Sequence, residues 1–232
     1  MPVADNIAMV RERIHAAAKR AGRDPDGVTL MAVSKTVPPE LIHAAYLAGV
    51  RVFGENRVQE FAQKVGALRD LSNAEWHLIG HLQTNKAAKV AELFGAVDSI
   101  DSLRLAQKLN SAAQQVGKKL GVLIEVNVGG ENAKTGVAPE SKELEEILKA
   151  APLLGHLEIS GLMAIPPLTD DPREARPYFR KLRDLREGIG RSRLPGVSMN
   201  VLSIGMSHDF EIAIEEGSTC VRLGTAIFGE RA

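Results

Sequence analysis

One cysteine, Cys220, occurs in the 232-residue chain, so no internal disulfide can form. That usage fits a reducing cytosol. The chain also lacks net charge, with 29 basic and 29 acidic residues. A neutral chain has no general electrostatic pull toward nucleic acid or anionic lipid, and neither is expected as a partner. No apolar run approaches the roughly 20 residues that a membrane span needs. The opening stretch MPVADNIAMVRER carries acids and bases in its first turns and no apolar h-region, which excludes a secretory signal. A cytoplasmic, soluble protein is expected. What remains is ordinary for a globular chain, 44% hydrophobic and 25% charged, enough to bury a full core.

Hydrophobic periodicity sets the expected order of elements. Ile7, Val10, Ile14 and Ala17 recur at helical spacing and predict an amphipathic helix over 5–21, ended by Gly22 and Pro25. Val28-Thr-Leu-Met-Ala-Val-Ser34 is apolar nearly throughout, as a parallel strand buried on both faces requires. Further strands are expected near 51–54, 76–80, 97–100, 122–128, 158–164, 201–204 and 220–224. Helical patterns lie between them near 38–48, 56–70, 85–94, 102–117, 139–151, 173–189 and 208–216. Eight strands alternating with helices imply closure into a (β/α)8 TIM-type barrel with an extra N-terminal helix. An open doubly wound sheet is the alternative. No linker or shift in composition marks a boundary, so residues 1–232 are read as one domain.

In a parallel barrel the chemistry sits on the loops that follow the strands. Lys35 follows the first strand directly and shares a face with Met31 and Val33 by alternation. If that face is the interior, desolvation lowers the amine's pKa and makes a Schiff-base lysine. The alternative is a lysine that snorkels into solvent. In Leu202-Ser-Ile-Gly-Met-Ser-His-Asp209 a strand ends, Gly205 permits a tight turn and a helix begins, with Ser207 or Asp209 placed to cap it. Gly224-Thr225 follows the eighth strand. Two such loops at the seventh and eighth positions suit a phosphate, or else serve only as caps and turns. Arg222, inside an apolar strand, needs a partner. It either faces the same mouth as Lys35 or forms a structural ion pair with a barrel acid. His77 and His81 share a strand face too far apart to hold one metal ion, and no metal is expected. Cys220 reads as a small core residue. Lys86 and Lys89, with Asn85, read as a solvated helix face. Gly129-Gly130 with Asn132-Ala-Lys-Thr-Gly136 reads as a surface loop, or a lid over the mouth.

Longer stretches carry a resemblance. They are Ala32-Val-Ser-Lys-Thr36, Phe53-Gly-Glu-Asn56 with Val58-Gln-Glu60, Trp76-His-Leu-Ile-Gly-His-Leu-Gln83 with Asn85-Lys86, Gly161-Leu-Met-Ala-Ile-Pro166, Leu202-Ser-Ile-Gly-Met-Ser207 and Val221-Arg-Leu-Gly-Thr-Ala-Ile-Phe-Gly229. In this order, and nearly from end to end, they resemble the pyridoxal phosphate homeostasis protein family. The resemblance implies a barrel like the N-terminal domain of alanine racemase, with pyridoxal 5′-phosphate as cofactor. It makes Lys35 the Schiff-base lysine. It places Ser207, Gly224 and Thr225 at the phosphate, Arg222 opposite the pyridine nitrogen, and Asn56 and Met206 on the pocket wall. Arg57 and Ile204 depart from the commonest pattern, away from the lysine and phosphate motifs.

The expected role is binding rather than catalysis. Arginine only donates hydrogen bonds, so a pyridine nitrogen facing Arg222 stays unprotonated and the ring is a poor electron sink. Racemisation by two bases needs a second base opposite the lysine, in the resembling racemases a tyrosine from a C-terminal β-domain of the partner subunit. This sequence ends at Ala232, and its two tyrosines, Tyr46 and Tyr178, fall in presumed outer helices. The expectation is a monomer that holds the cofactor for apo-enzymes dependent on it. A weak racemase is the first alternative. A cofactor-free aldolase or sugar-phosphate isomerase is the second.

Overall fold

A computed structural model describes residues 2–130 and 135–230. Eight parallel strands close into a barrel in sequence order, β1 to β8. They are β1 (Thr29–Val33), β2 (Val52–Glu55), β3 (Glu75–Leu78), β4 (Ala96–Ile100), β5 (Leu120–Glu125), β6 (Leu157–Met163), β7 (Val197–Ser203) and β8 (Cys220–Leu223). The helices are α1 (Val3–Arg20), α2 (Pro39–Leu47), α3 (Val58–Lys64), α4 (Ala87–Leu93), α5 (Leu103–Gln115), α6 (Lys142–Ala150), α7 (Arg176–Arg191), α8 (Phe210–Glu215) and α9 (Thr225–Phe228). The (β/α)8 expectation is met and the open sheet is excluded: β1 pairs with β8 from Thr29↔Cys220 to Ala32↔Leu223. No helix among the described residues is long and apolar enough to cross a membrane.

The extra helix α1 buries the stripe that its sequence announced, Ile7, Val10, Ile14 and Ala17. It packs against α8, α9 and α2. Arg13 reaches Glu211 at 2.7 Å and Arg20 reaches Glu215 at 3.0 Å, tying α1 to α8. The residues between barrel and helices form one continuous apolar layer, in which Phe61 touches both Trp76 and Phe94 with centroids 4.7 and 4.8 Å apart. Inside the barrel, space is short. A Cβ on Gly54 would lie 2.8 Å from Met31 Sδ and 3.0 Å from Ile79 Cδ1, so glycine is the residue that fits.

Three differences from the sequence reading have local causes. β7 starts at Val197 rather than 201: Ser198-Met-Asn200 carries no apolar run, but the strand pairs with β6 on either side of it, at Val197 and again from Val201. Met199 sits at φ +49°, and the β6–β7 register shifts nearby. The bulge drives the Val201 carbonyl against β6, where a Cβ on Gly161 would fall 1.9 Å from that oxygen. α3 is shorter than 56–70 and tightens into a 3-10 turn over Val65–Leu68. The short α9 was not expected, and its Ile227 is fully buried.

Candidate functional site

At the C-terminal end of the barrel a cavity of about 280 Å³ is lined by Val33, Lys35, Asn56, Ile79, Ile165, Met206, Ser207, His208, Arg222 and Gly224. Six of the seven residues expected at the site thus converge from β1, β2, β7 and β8. Thr225, the seventh, heads α9 beside Gly224 with its side chain exposed, off the cavity wall. Val33 stands there as its shared face with Lys35 implied, while Ile79, Ile165 and His208 were not singled out from the sequence. Ile79 could have been found from strand phase; Ile165 and His208 lie in loops and carry no local signal.

Lys35 stands two residues past β1, and a polar network grips the chain on both sides of it. Lys64, from the last turn of α3, is the hub. Its ammonium contacts the Ser34 carbonyl at 2.8 Å, Glu55 Oε1 at 2.8 Å and Glu60 Oε1 at 3.3 Å. Ser34 Oγ donates to the same Glu55 oxygen at 2.5 Å, and the Thr36 N–H donates to Glu60 at 2.5 Å. Thr36 is held at φ +59°, a conformation a β-branched residue avoids unless its neighbours impose it. Glu55 is fully buried; desolvation pushes its carboxyl above the usual range, against the pull of Lys64 and Ser34.

Arg222 is buried and its guanidinium is anchored. Nη1 donates to the Ser203 carbonyl at 2.6 Å and its hydroxyl at 2.8 Å, and Nη2 donates to the Ala164 carbonyl at 2.9 Å. The alternative of an ion pair with a barrel acid is therefore not what fixes it. Burial pulls its pKa down, while Cys220, Asp98, Asp209 and Glu125 act through space in the other direction.

The two loops expected to bind phosphate meet. Ser207 Oγ accepts from the Ala226 N–H of α9 at 3.2 Å, linking the β7 loop to the β8 loop. Asp209 Oδ1 accepts from Met206 N at 2.7 Å, and makes no cap bond into α8; neither Ser207 nor Asp209 caps that helix with its side chain. The backbone N–H groups of Ser207, His208, Gly224 and Thr225 have no acceptor among the described residues. Gly205, at φ +96°, sets the turn: a Cβ there would meet Ala213 Cβ at 2.6 Å and Phe210 Cα at 2.9 Å.

Each histidine of β3 and its following loop has its own acid. His77 Nδ1 lies 3.0 Å from Asp98 Oδ1 and His81 Nδ1 lies 3.1 Å from Asp101. No group of three or more potential metal ligands exists among the described residues. Lys89 pairs with Glu92 at 2.8 Å on α4, and Lys86 lies in the 3-10 turn before it. Tyr46 and Tyr178 lie on α2 and α7, packed into the outer layer. Of the 129–136 loop, residues 131–134 lie outside the described residues. Its far end is tied down where Thr135 Oγ1 donates to Glu125 Oε1 at 2.8 Å.

Comparison with known proteins agrees with this geometry. The family model of the alanine racemase N-terminal domain matches residues 6–232. A pyridoxal phosphate homeostasis protein of Aquifex aeolicus (strain VF5) is 48% identical over 231 residues, spanning 100% of this chain and 99% of that one. The solved structure of an unknown protein from Bifidobacterium adolescentis matches with TM-score 0.91 and 39% identity, covering 98% of this chain and 94% of that one. PipY of Synechococcus elongatus PCC7942, solved with PLP bound, matches with TM-score 0.84 and 35% identity over 98% of this chain and 100% of that one.

Proposed function

The chain belongs to the pyridoxal phosphate homeostasis protein family, built on the alanine racemase N-terminal domain, and on that premise we propose that it holds pyridoxal 5′-phosphate as a Schiff base on Lys35. The observation that carries the reading is the convergence of Lys35, Arg222 and the free N–H groups of two glycine-bearing loops on one cavity. At about 280 Å³ it lies just below the ~300 Å³ from which ligand pockets commonly run. That suits one substituted ring. Bound there, the cofactor supplies an aldehyde; Lys35 Nζ condenses with it and water leaves.

The other residues divide the remaining groups. Ser207, Gly224 and Thr225 offer backbone N–H groups to the phosphate, with the Ser207 hydroxyl beside them. Arg222 faces the ring nitrogen, and because a guanidinium cannot accept a proton, that nitrogen stays unprotonated. Asn56 and Met206 form walls. Gly80 lets the β3 loop press against Asn56, since a Cβ there would come within 2.3 Å of the Asn56 carbonyl.

The role is storage and delivery rather than turnover. An unprotonated ring withdraws electrons weakly, and no tyrosine reaches the cavity wall. An imine is reversible, so an amine on an apo-enzyme can take the cofactor over. The second reading is a weak pyridoxal-dependent racemase, favoured by one observation: His208 stands on the cavity wall with Lys35. Purified protein should show the visible band of a pyridoxal imine, borohydride should fix the adduct on the Lys35 peptide, and Lys35→Ala should lose the band. A protein that stays colourless with added cofactor overturns the reading. Deuterium wash-in at Cα of amino acids separates the two roles: exchange above that of free cofactor, lost in His208→Ala, supports the racemase.

A further inference from the structure

At the opposite end of the barrel, where β1 and β2 begin, α1 leaves a second cleft of about 370 Å³. Three cationic or imidazole side chains stand on it: Arg11 and His15 from α1, and Arg51 from the turn before β2. One carboxylate, Asp26, shares the rim. The floor is apolar, with Ile14, Val28, Val50 and Val52.

The arginines are fixed without being neutralised. Arg11 Nη2 donates to the Gly49 carbonyl at 2.9 Å. Arg51 Nη1 donates to the Tyr46 and Val50 carbonyls, each at 2.8 Å, and its guanidinium stacks on the Tyr46 ring at 4.1 Å. Neither forms an ion pair with a described residue, although Arg13 and Arg20 on the same helix both do. Carbonyl anchors orient a guanidinium but leave its charge unmatched and its other N–H groups available. Guanidiniums oriented in advance lose little freedom when they take up an oxyanion. Two fixed guanidiniums against one carboxylate leave an excess of positive charge, and their remaining N–H groups match the three terminal oxygens of a phosphoryl group better than the two of a carboxylate. The apolar floor suits a compact organic body.

We propose that this cleft binds a small phosphate monoester, its phosphoryl group between Arg11 and Arg51 and its organic part over Ile14 and Val52. The site is separate from the mouth that holds Lys35, so its occupancy does not depend on that reading.

The test is an NMR titration of the ¹⁵N-labelled protein with phenyl phosphate, with phenol as the uncharged control. The amides of Thr29, Gly49 and Arg51 should shift saturably, while phenol leaves them unmoved. Arg11→Gln should weaken binding about tenfold, the loss expected for one charge-assisted hydrogen bond. Arg51→Gln should do the same, and if loss of its two carbonyl anchors unfolds the turn, Arg11→Gln alone decides. Asp26→Asn should tighten binding severalfold, an effect that a merely structural role for Asp26 would not produce. Shifts confined to the mouth amides of Ser207 and Gly224, equal affinity in Arg11→Gln, or weaker binding in Asp26→Asn each overturn the proposal.

Discussion

Lys64→Met tests whether Lys35 is held by the network beneath it. Methionine keeps the length of the stem and removes the ammonium. The lysine side chain is 10% exposed and that of Glu55 is fully buried, so the pair is screened little by solvent. Breaking a buried pair by deleting one partner costs about 3–5 kcal/mol, because the other charge is stranded. Here Glu55 keeps the Ser34 hydroxyl, its Oε2 already has no partner among the described residues, and its raised pKa lets it take a proton instead. These place the cost at the low end, about 3 kcal/mol, or about 6–12 °C in Tm for a chain of this size. Glu55→Gln in the same protein should restore most of it, since no buried charge is then stranded. The second readout is the imine band. Ser34 and Thr36 lose their shared anchor, so Lys64→Met should release cofactor faster on dialysis than its stability loss alone explains, and the double variant should remain fast. Calorimetry and absorbance on the four proteins of the cycle give both readouts. A Tm within about 1 °C of the parent, or no rescue by Glu55→Gln, refutes the reasoning.

Other expectations follow from the same geometry. Cys220 is buried, and desolvation with Asp98 nearby pushes its thiol up to about 12; iodoacetamide at mildly alkaline pH should label it only in denaturant, as mass spectrometry would show. Glu125 is buried with Oε2 unpartnered among the described residues, and desolvation raises its pKa despite the Thr135 hydrogen bond. A raised folded pKa gives stability that is present below the ordinary glutamate range and lost as pH rises through the folded value. The stability of the parent relative to Glu125→Gln should therefore increase as pH is lowered from neutral, and a difference that falls instead contradicts the assignment. Gly205→Ala should cost about 1–3 kcal/mol, from positive φ and from the close approach to Ala213 and Phe210. Because it distorts the loop that offers Ser207, it should also weaken cofactor retention, checked by equilibrium dialysis.

Much of the architecture was legible in the sequence. The alternation of apolar runs and amphipathic stretches gave eight strands, and the stripe on residues 7–17 gave the extra helix, because burial on one face or two leaves a period in the chain. Lys35 and the loops at Gly205 and Gly224 could be placed near one another because a closed parallel barrel puts every strand's C-terminal end on one rim. β7 escaped that logic at Ser198-Met-Asn200, a bulge carried within the strand by backbone pairing at Val197 and Val201 on either side, from residues without strand patterning.

The sequence by itself determined the barrel, the rim on which chemistry sits, and the residue types that meet there. Only the tertiary structure decided what surrounds them: that Arg222 is anchored by carbonyl and hydroxyl oxygens rather than by an acid, that His208 and Ile165 close the cavity, and that Glu55, Glu60 and Lys64 grip the chain on either side of Lys35. The reason is physical. Periodicity records which face of an element is buried, whereas a polar contact between residues 20 or 30 apart depends on distances that arise only once the barrel has closed.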